Sequence, residues 1–328
     1  MYIMGLGGSL HDFSACIVSE KGIEIAIEEE RLNRIKHSVN KKRLEKYIKS
    51  NQLWKYINNA DAELLSLSIN YCLDGLNITL DDIDYIVTTD SNIWLPFVKK
   101  LENLVVINHH LSHAASTFYT SNFNESAILV IDGQGSEVNV NGKIGYETIT
   151  LAYGNKNKIK VIKKIINHSL GHFYSMVTMA IGFGFLEEGK TMGLSSYGIV
   201  KENIFSKYYI LKKDGEFEFK TTLKEIETEL KKMIEKDNSF ENRANLALCA
   251  QKTLYEIVIH ILKYFKSILP CENLCIAGGV GLNSVLNGQI FESNIYNNVF
   301  VFPASGDNGL SMGCALYGLY VLSNNKRS

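Results

Sequence analysis

The chain has 328 residues, 46% hydrophobic and 21% charged, with 34 basic against 35 acidic side chains and a formal net charge of −1. That size suits a soluble protein with a large core in two similar halves. The balanced charge excludes the basic footprint of a nucleic-acid or anionic-membrane binder, and no apolar run approaches the length of a membrane span.

In chain order, Tyr2–Leu6, Ser14–Val18 and Ile23–Ile27 read as three short strands, with Ser19 to Gly22 turning between the last two. Between the first two lies Gly5-Leu6-Gly7-Gly8-Ser9-Leu10-His11-Asp12. Glycines there let backbone approach a ligand and leave amides available to a phosphate. His11 is a candidate general base, and its sequence neighbour Asp12 need not be its partner in space. The charged run Glu28 to His37 reads as a solvated helix start, and Asp61 to Leu76 has helical apolar spacing. Ile83–Thr88 and Leu104–Ile107 are strands, and His113 to Thr120 is a helix.

Asn108 to Ala115 holds three of the eight histidines. If a helix begins at Asn108 or at Ser112, His109 and His113 share one face and can meet one ion. Two imidazoles do not make a metal site, so a hard third ligand is required, and Asp307 is the candidate.

At Ala127 the pattern restarts. Ala127–Ile131 is an apolar strand running into Asp132-Gly133-Gln134-Gly135-Ser136, and Val138–Val140 and Glu147–Ala152 are the next two strands expected. Helix Gly171 to Gly182 follows, then a polar insertion near 200–240 and a long helix from Asn242 to Phe265. The lysine-rich stretches Lys156 to Lys164 and Lys207 to Lys236 read as solvated surface. Strand Leu274–Ala277 enters a glycine turn at Gly278-Gly279-Val280-Gly281-Leu282-Asn283, where a purine or ribose can pack; it is not a Walker A sequence. Strand Val299–Phe302 enters Pro303 to Gly309 and a final helix Gly309 to Leu322. Asp307, in that last turn, is either an N-cap or a carboxylate at a cleft mouth. The six cysteines lie in apolar contexts without a C-x-x-C pair and read as buried reduced thiols of a cytoplasmic protein.

Both halves thus read as strand-strand-strand-helix-strand-helix-strand-helix, each with a glycine-bearing turn after its first strand. The predicted fold is α/β: a duplicated ribonuclease-H-like unit of the actin, sugar kinase and heat-shock ATPase superfamily. Its first lobe is 1–123 and its second 124–328, with a nucleotide held in the cleft by facing turns.

The motifs resemble the O-carbamoyltransferases of nodulation-factor and antibiotic biosynthesis, which share a domain with the tRNA threonylcarbamoyl-transfer protein. The resemblance rests on His11-Asp12-Phe13-Ser14-Ala15, Glu29-Glu30-Arg31 with Arg34-Ile35-Lys36-His37, and Asn108 to Ala115. It continues through Asp132-Gly133, Glu188 to Leu194 with Tyr197-Gly198, Gly278 to Asn283, and Gly306-Asp307-Asn308-Gly309. It implies that His109, His113 and Asp307 bind a divalent metal (iron, manganese or zinc, with magnesium as a further candidate) that grips nucleotide phosphate. Asp132 and Gly133 would sit beside the phosphates, Gly278, Gly279 and Asn283 beside the adenosine, and Glu188 and Lys190 near the ribose. His11 would be the base at the acceptor hydroxyl, with Lys36 and His37 lining its pocket. The implied reaction makes carbamoyladenylate from carbamoyl phosphate and ATP, then passes the carbamoyl group to a hydroxyl and releases AMP. The YrdC-like domain that makes the adenylate in such proteins has no counterpart here, so a separate YrdC-like partner polypeptide is expected. No nucleic-acid or membrane partner is expected. Two alternatives stand beside this reading: a non-catalytic ATP-binding scaffold, and a small-molecule kinase with Asp132 as its base.

Overall fold

Short apolar runs in the first ninety positions, continuous in the central strands, build β1 (Tyr2–Gly7), β2 (Ser14–Ser19), β3 (Gly22–Glu28) and β4 (Tyr85–Thr89), and β5 (Leu104–Ile107) completes a sheet ordered β3-β2-β1-β4-β5. The structure, a computed structural model, describes residues 1–39, 65–93, 95 and 98–327. β2 runs antiparallel to both β1 and β3, and β4 and β5 run parallel to β1.

The second sheet contains β6 (Glu125–Ile131), β7 (Glu137–Val140), β8 (Lys143–Asn155), β9 (Lys158–Ile166), β12 (Asn273–Ala277) and β13 (Asn298–Val301). The path β9-β8-β6-β12-β13 repeats the order of the first sheet, two antiparallel pairings followed by two parallel ones. The duplication is therefore real in topology. The repeat's third strand, however, is Lys158–Ile166 rather than Glu147–Ala152. Val138–Val140 is an added ribbon paired with the start of β8. The lysines of β9 sit on an edge strand where only Ile165 is buried, so a charged run that reads as plain surface is also a protected sheet edge.

Among the described residues the α-helices are α1 (Glu29–Asn33), α2 (Ser66–Leu76), α3 (His109–Thr120), α4 (Leu170–Ala180), α5 (Glu188–Ser195), α6 (Leu223–Lys236), α7 (Phe240–Ile268), α8 (Ser284–Glu292) and α9 (Leu310–Tyr317). Residues 61–64 of the expected helix Asp61 to Leu76 lie outside the described residues. The stretch 200–240 is polar in composition, but it folds onto the second lobe. It carries the hairpin β10 (Tyr209–Leu211) with β11 (Phe217–Phe219), and it buries Phe205, Tyr208, Phe217, Ile226 and Leu230 in the core beside α4 and α7. All six cysteines are buried free thiols. Among the described residues no helix is long and apolar enough to cross a membrane.

The lobes exchange helices. α3 packs on β6, β8 and β12 of the second sheet, α9 packs on β1, β2 and β4 of the first, and the two helices pack on each other. Glycines make this crossing close. A Cβ on Gly313 would stand 2.0 Å from the Ser112 carbonyl oxygen, and one on Gly5 would stand 1.9 Å from that of Ser311. Gly313→Ala is expected to cost roughly 1–3 kcal/mol or more by overpacking. Chemical denaturation would show this as a lowered midpoint, and an unchanged midpoint would mean the crossing can relax.

Candidate metal and nucleotide site

β5 delivers the chain to Asn108, whose Oδ1 accepts from the Leu111 amide at 2.9 Å and so caps α3. The helix therefore starts at His109, and His113 follows one turn later with its ring centroid 4.9 Å from that of His109. Both Nε2 atoms face the same two carboxylates. His109 Nε2 lies 3.1 Å from Asp132 Oδ2 and 3.5 Å from Asp307 Oδ1, and His113 Nε2 lies 3.4 Å from each. All four side chains are buried, and one donor atom from each fits within 4.8 Å of the others.

Asp132 leaves the end of β6. Its Oδ1 accepts from the amides of Gly133 at 2.8 Å and Gly279 at 3.2 Å, which turns Oδ2 toward the imidazoles. Asp307 opens the 3-10 turn Asp307–Gly309 without capping it, its Oδ2 accepts from the Ser9 hydroxyl, and Oδ1 faces the histidines. The turns after β6 and β13 thus bring their carboxylates to one point. Ser91 Oγ lies 3.0 Å from His109 Nδ1 and leaves Nε2 for the cluster.

Buried polar atoms are ordinarily hydrogen-bonded. His113 is 0% exposed, yet neither of its ring nitrogens has a hydrogen bond. Two imidazoles and two carboxylates with an unsatisfied nitrogen are a donor set suited to iron, manganese or zinc. The charges agree. Burial opposes protonation of His109, but Asp307 and Asp132 overcome it and raise the pKa to about 10. His113 is raised as well, against the same burial, by the same two carboxylates. Against burial, the two imidazoles hold Asp132 and Asp307 well below the usual carboxylate range. The two carboxylates thus favour positive charge at this point, from protons or from a cation. Asp132, read from sequence as a phosphate neighbour, is here a fourth member of the donor set.

Beside this cluster, Asp12 bridges two histidines: Oδ2 lies 2.8 Å from His11 Nδ1, and Oδ1 lies 2.8 Å from His37 Nδ1. The solvated-helix reading of Glu28 to His37 holds for α1 and for the exposed Arg31, Arg34 and Lys36, but not for two of its acids, which serve backbone amides. Glu29 Oε2 accepts from the Ser68 amide at 2.8 Å, and Glu30 Oε2 accepts from the His37 amide at 2.7 Å. Burial works to lower the His11 pKa, but Asp12, Asp307 and Asp132 outweigh it and raise it to about 9. His11 therefore lies within the field of the four-donor cluster. Lys36, on the turn Lys36–Ser38, is exposed.

In the turn that the resemblance assigns to adenosine, Gly278 has φ +94°, and a Cβ there would stand 2.2 Å from the Ile131 carbonyl oxygen. A Cβ on Gly279 would lie 3.0 Å from Asp132 Oδ1. Asn283 caps α8, accepting from Leu286 at 2.9 Å. It also pairs twice with the Gln251 amide, at 3.0 and 2.9 Å, and Tyr174 donates to Gln251 at 3.0 Å. Its side chain thus braces the glycine turn from below. Gln251 and Tyr174 were not singled out by sequence; the one signal was a lone glutamine on the apolar face of the long helix. Glu188 accepts from Ser175, while Lys190 is exposed and pairs with Glu187 at 2.8 Å. Finally, α4 begins against the Asp132–Gly133 turn. Ser169 caps it and donates to the Gly133 carbonyl at 2.6 Å, and a Cβ on Gly171 would stand 2.7 Å from Gly133 Cα. A helix N-terminus aimed at this turn suits an anionic phosphate.

Comparison with known proteins identifies the family and the fold. The family model described as "Carbamoyltransferase N-terminus" matches residues 96–316. The nodulation protein NolNO of Sinorhizobium fredii is 30% identical over 94% of this chain and 46% of its own length, so the chain spans about half of that relative. A tRNA N6-adenosine threonylcarbamoyltransferase of Clostridium novyi is 24% identical over 79% of this chain and 78% of its own. In fold, full-length HypF in its phosphate- and nucleotide-bound form aligns with a TM-score of 0.60 at 13% identity, covering 97% of this chain and 55% of that one. The fold is that of the actin and heat-shock ATPase type.

Proposed function

We propose, because this chain belongs to the carbamoyltransferase N-terminal family, that its cleft moves a carbamoyl group from carbamoyladenylate to the hydroxyl of a small-molecule acceptor. The observation that carries the reading is the meeting of two groups in one cleft: the His11–Asp12–His37 relay and the four-donor cluster.

His11 Nδ1 is committed to Asp12, so Nε2 is the atom that takes the acceptor proton. The acceptor oxygen bonds to the carbonyl carbon, the bond from that carbon to the phosphate oxygen breaks, and AMP leaves. His11 must be neutral to begin, so its raised pKa predicts a transfer rate that climbs with pH toward 9. The N-terminal turn of α4 receives phosphate charge, and Gly278 and Gly279, braced by Asn283, line the adenosine. Glu188 and Lys190 lie toward the ribose, and Lys36 and His37 toward the acceptor. A divalent cation on His109, His113, Asp132 and Asp307 would supply Lewis-acid stabilisation of the departing phosphate. The carbamoyladenylate would come from a separate YrdC-like polypeptide, made from carbamoyl phosphate and ATP, and the acceptors would be hydroxyl-bearing secondary metabolites.

The kinase alternative needs Asp132 as a free base, whereas both its oxygens are engaged, by two amides and two imidazoles. The decisive test supplies carbamoyladenylate and a panel of hydroxyl acceptors to the full chain and follows products by mass spectrometry. AMP and a carbamate ester are expected, with a loss of about 100-fold or more in His11→Ala. ADP and a phosphorylated acceptor from ATP would instead establish a kinase.

A further inference from the structure

A mixed anhydride of carbamate and phosphate is open to water as well as to an alcohol, so the cleft needs a device that excludes water from the base. Residues 182–187, joining α4 to α5, have the shape of one. They belong to the second lobe in sequence, but Phe185 packs against the first-lobe core of Met4, Leu6 and Phe13. There its ring stands edge-on to His11, with centroids 6.5 Å apart at 78°. His37 stands on His11 in the same manner at 6.4 Å, so the imidazole is boxed by two rings yet keeps 22% side-chain exposure.

The segment is held rather than slack. Gly182 has φ +98°, and Leu186 has φ +59°, a left-handed conformation that a leucine adopts only where its surroundings impose it. The imposing contacts are local. Glu187 Oε2 accepts from the Gly184 amide at 2.9 Å, Glu187 Oε1 pairs with Lys190 at 2.8 Å, and the Lys190 ammonium lies 5.8 Å from the Phe183 ring centroid.

We propose that residues 182–187 form a strap across the cleft whose Phe185 closes the acceptor pocket over His11, so that the carbamoyl group is delivered to an acceptor hydroxyl and not to water. The inference rests on the carbamoyl-transfer reading above. In the side reaction that Phe185 suppresses, a water oxygen bonds to the carbonyl carbon, the carbon–oxygen bond to AMP breaks, His11 takes the water proton, and free carbamate departs.

Two measurements on the full chain test it, comparing wild type with Phe185→Leu and Phe185→Ala. The first is the rate at which diethyl pyrocarbonate modifies His11, read by peptide mass spectrometry. The second is AMP release from carbamoyladenylate without acceptor. Both should rise in the order Phe, Leu, Ala, by roughly two- to tenfold at the alanine, the size expected for losing one aromatic contact. If the alanine variant unfolds, the leucine variant carries the comparison: a raised value supports the strap, and a wild-type value overturns it. His11 reactivity that rises while no chain releases AMP even with the panel of hydroxyl acceptors present would keep the strap and remove the carbamoyl reading. Unchanged reactivity and unchanged hydrolysis would remove the strap.

Discussion

Asp132→Asn is expected to lower affinity for Mn2+ or Zn2+ by at least about 100-fold, beyond the 10–100-fold typical of losing a partner outside the ligand shell. The substitution is nearly isosteric and keeps what Asp132 does for the backbone. An asparagine Oδ1 still accepts from the Gly133 and Gly279 amides, so the turn after β6 stays in place. What changes is the atom 3.1 Å from His109 and 3.4 Å from His113, where an NH2 donor replaces a carboxylate oxygen. Such a donor repels a cation but satisfies a neutral imidazole, so the variant remains folded while the site stops attracting metal. His109→Ala should fall at least as far, and His11→Ala, which removes no donor from the cluster, should stay near wild type. Competition against a chromophoric chelator reads all three. A collapse in His109→Ala with wild-type affinity in Asp132→Asn would place Asp132 outside the ligand set. Wild-type affinity in both would mean the cluster is an ion-pair network.

The same residue shows how far the sequence could be read. The three-strand, helix, strand, helix pattern was legible in the first half, where apolar runs are a local signal, but in the second the lysines of β9 hid the third strand and the ribbon Glu137–Val140 was counted in its stead. His109 and His113 were legible because helical spacing is fixed. Asp307 became a candidate only through the architecture, since nearly two hundred residues separate it from the histidines. Asp132 was noticed but given another place. Its role depends on which oxygen the Gly133 and Gly279 amides capture, and that is decided by a turn 147 residues away. The Glu28–His37 run misled in part for a related reason. A charged stretch looks solvated until the amides of Ser68 and His37 that it serves are known. The buried pairing of Gln251 with Asn283 carries no local signature beyond one polar side chain on an apolar helical face.

Metal affinity is also expected to climb with pH, with protons released as the ion binds. The metal-free cluster holds protons on His109, raised to about 10, and on His113, also raised, because two buried carboxylates demand positive charge. A cation must displace a proton to reach each protonated Nε2, so below the His109 pKa the association constant should gain about tenfold per pH unit from that proton alone. Stability should follow the opposite course when the metal is absent. His11 and His109 have folded pKa values above the ordinary 6.5, so their contribution is complete below about 6.5 and is lost as pH rises through 9 and 10. Asp12, Asp132 and Asp307 are depressed below the ordinary 3.8, so theirs is complete above about 4 and is lost in acid. The metal-free chain should therefore be most stable between roughly pH 4 and 6.5 and weaken on the alkaline side. Saturating metal, which replaces the protons on His109 and His113, should flatten that alkaline flank and leave only the share due to His11. Thermal midpoints from pH 5 to 9.5 with and without Mn2+ would display this, alongside calorimetry in buffers of different ionisation enthalpy to count the protons. An alkaline slope that metal does not change, with no proton release, would show that His109 and His113 hold their protons for each other's carboxylates and not in the place of an ion.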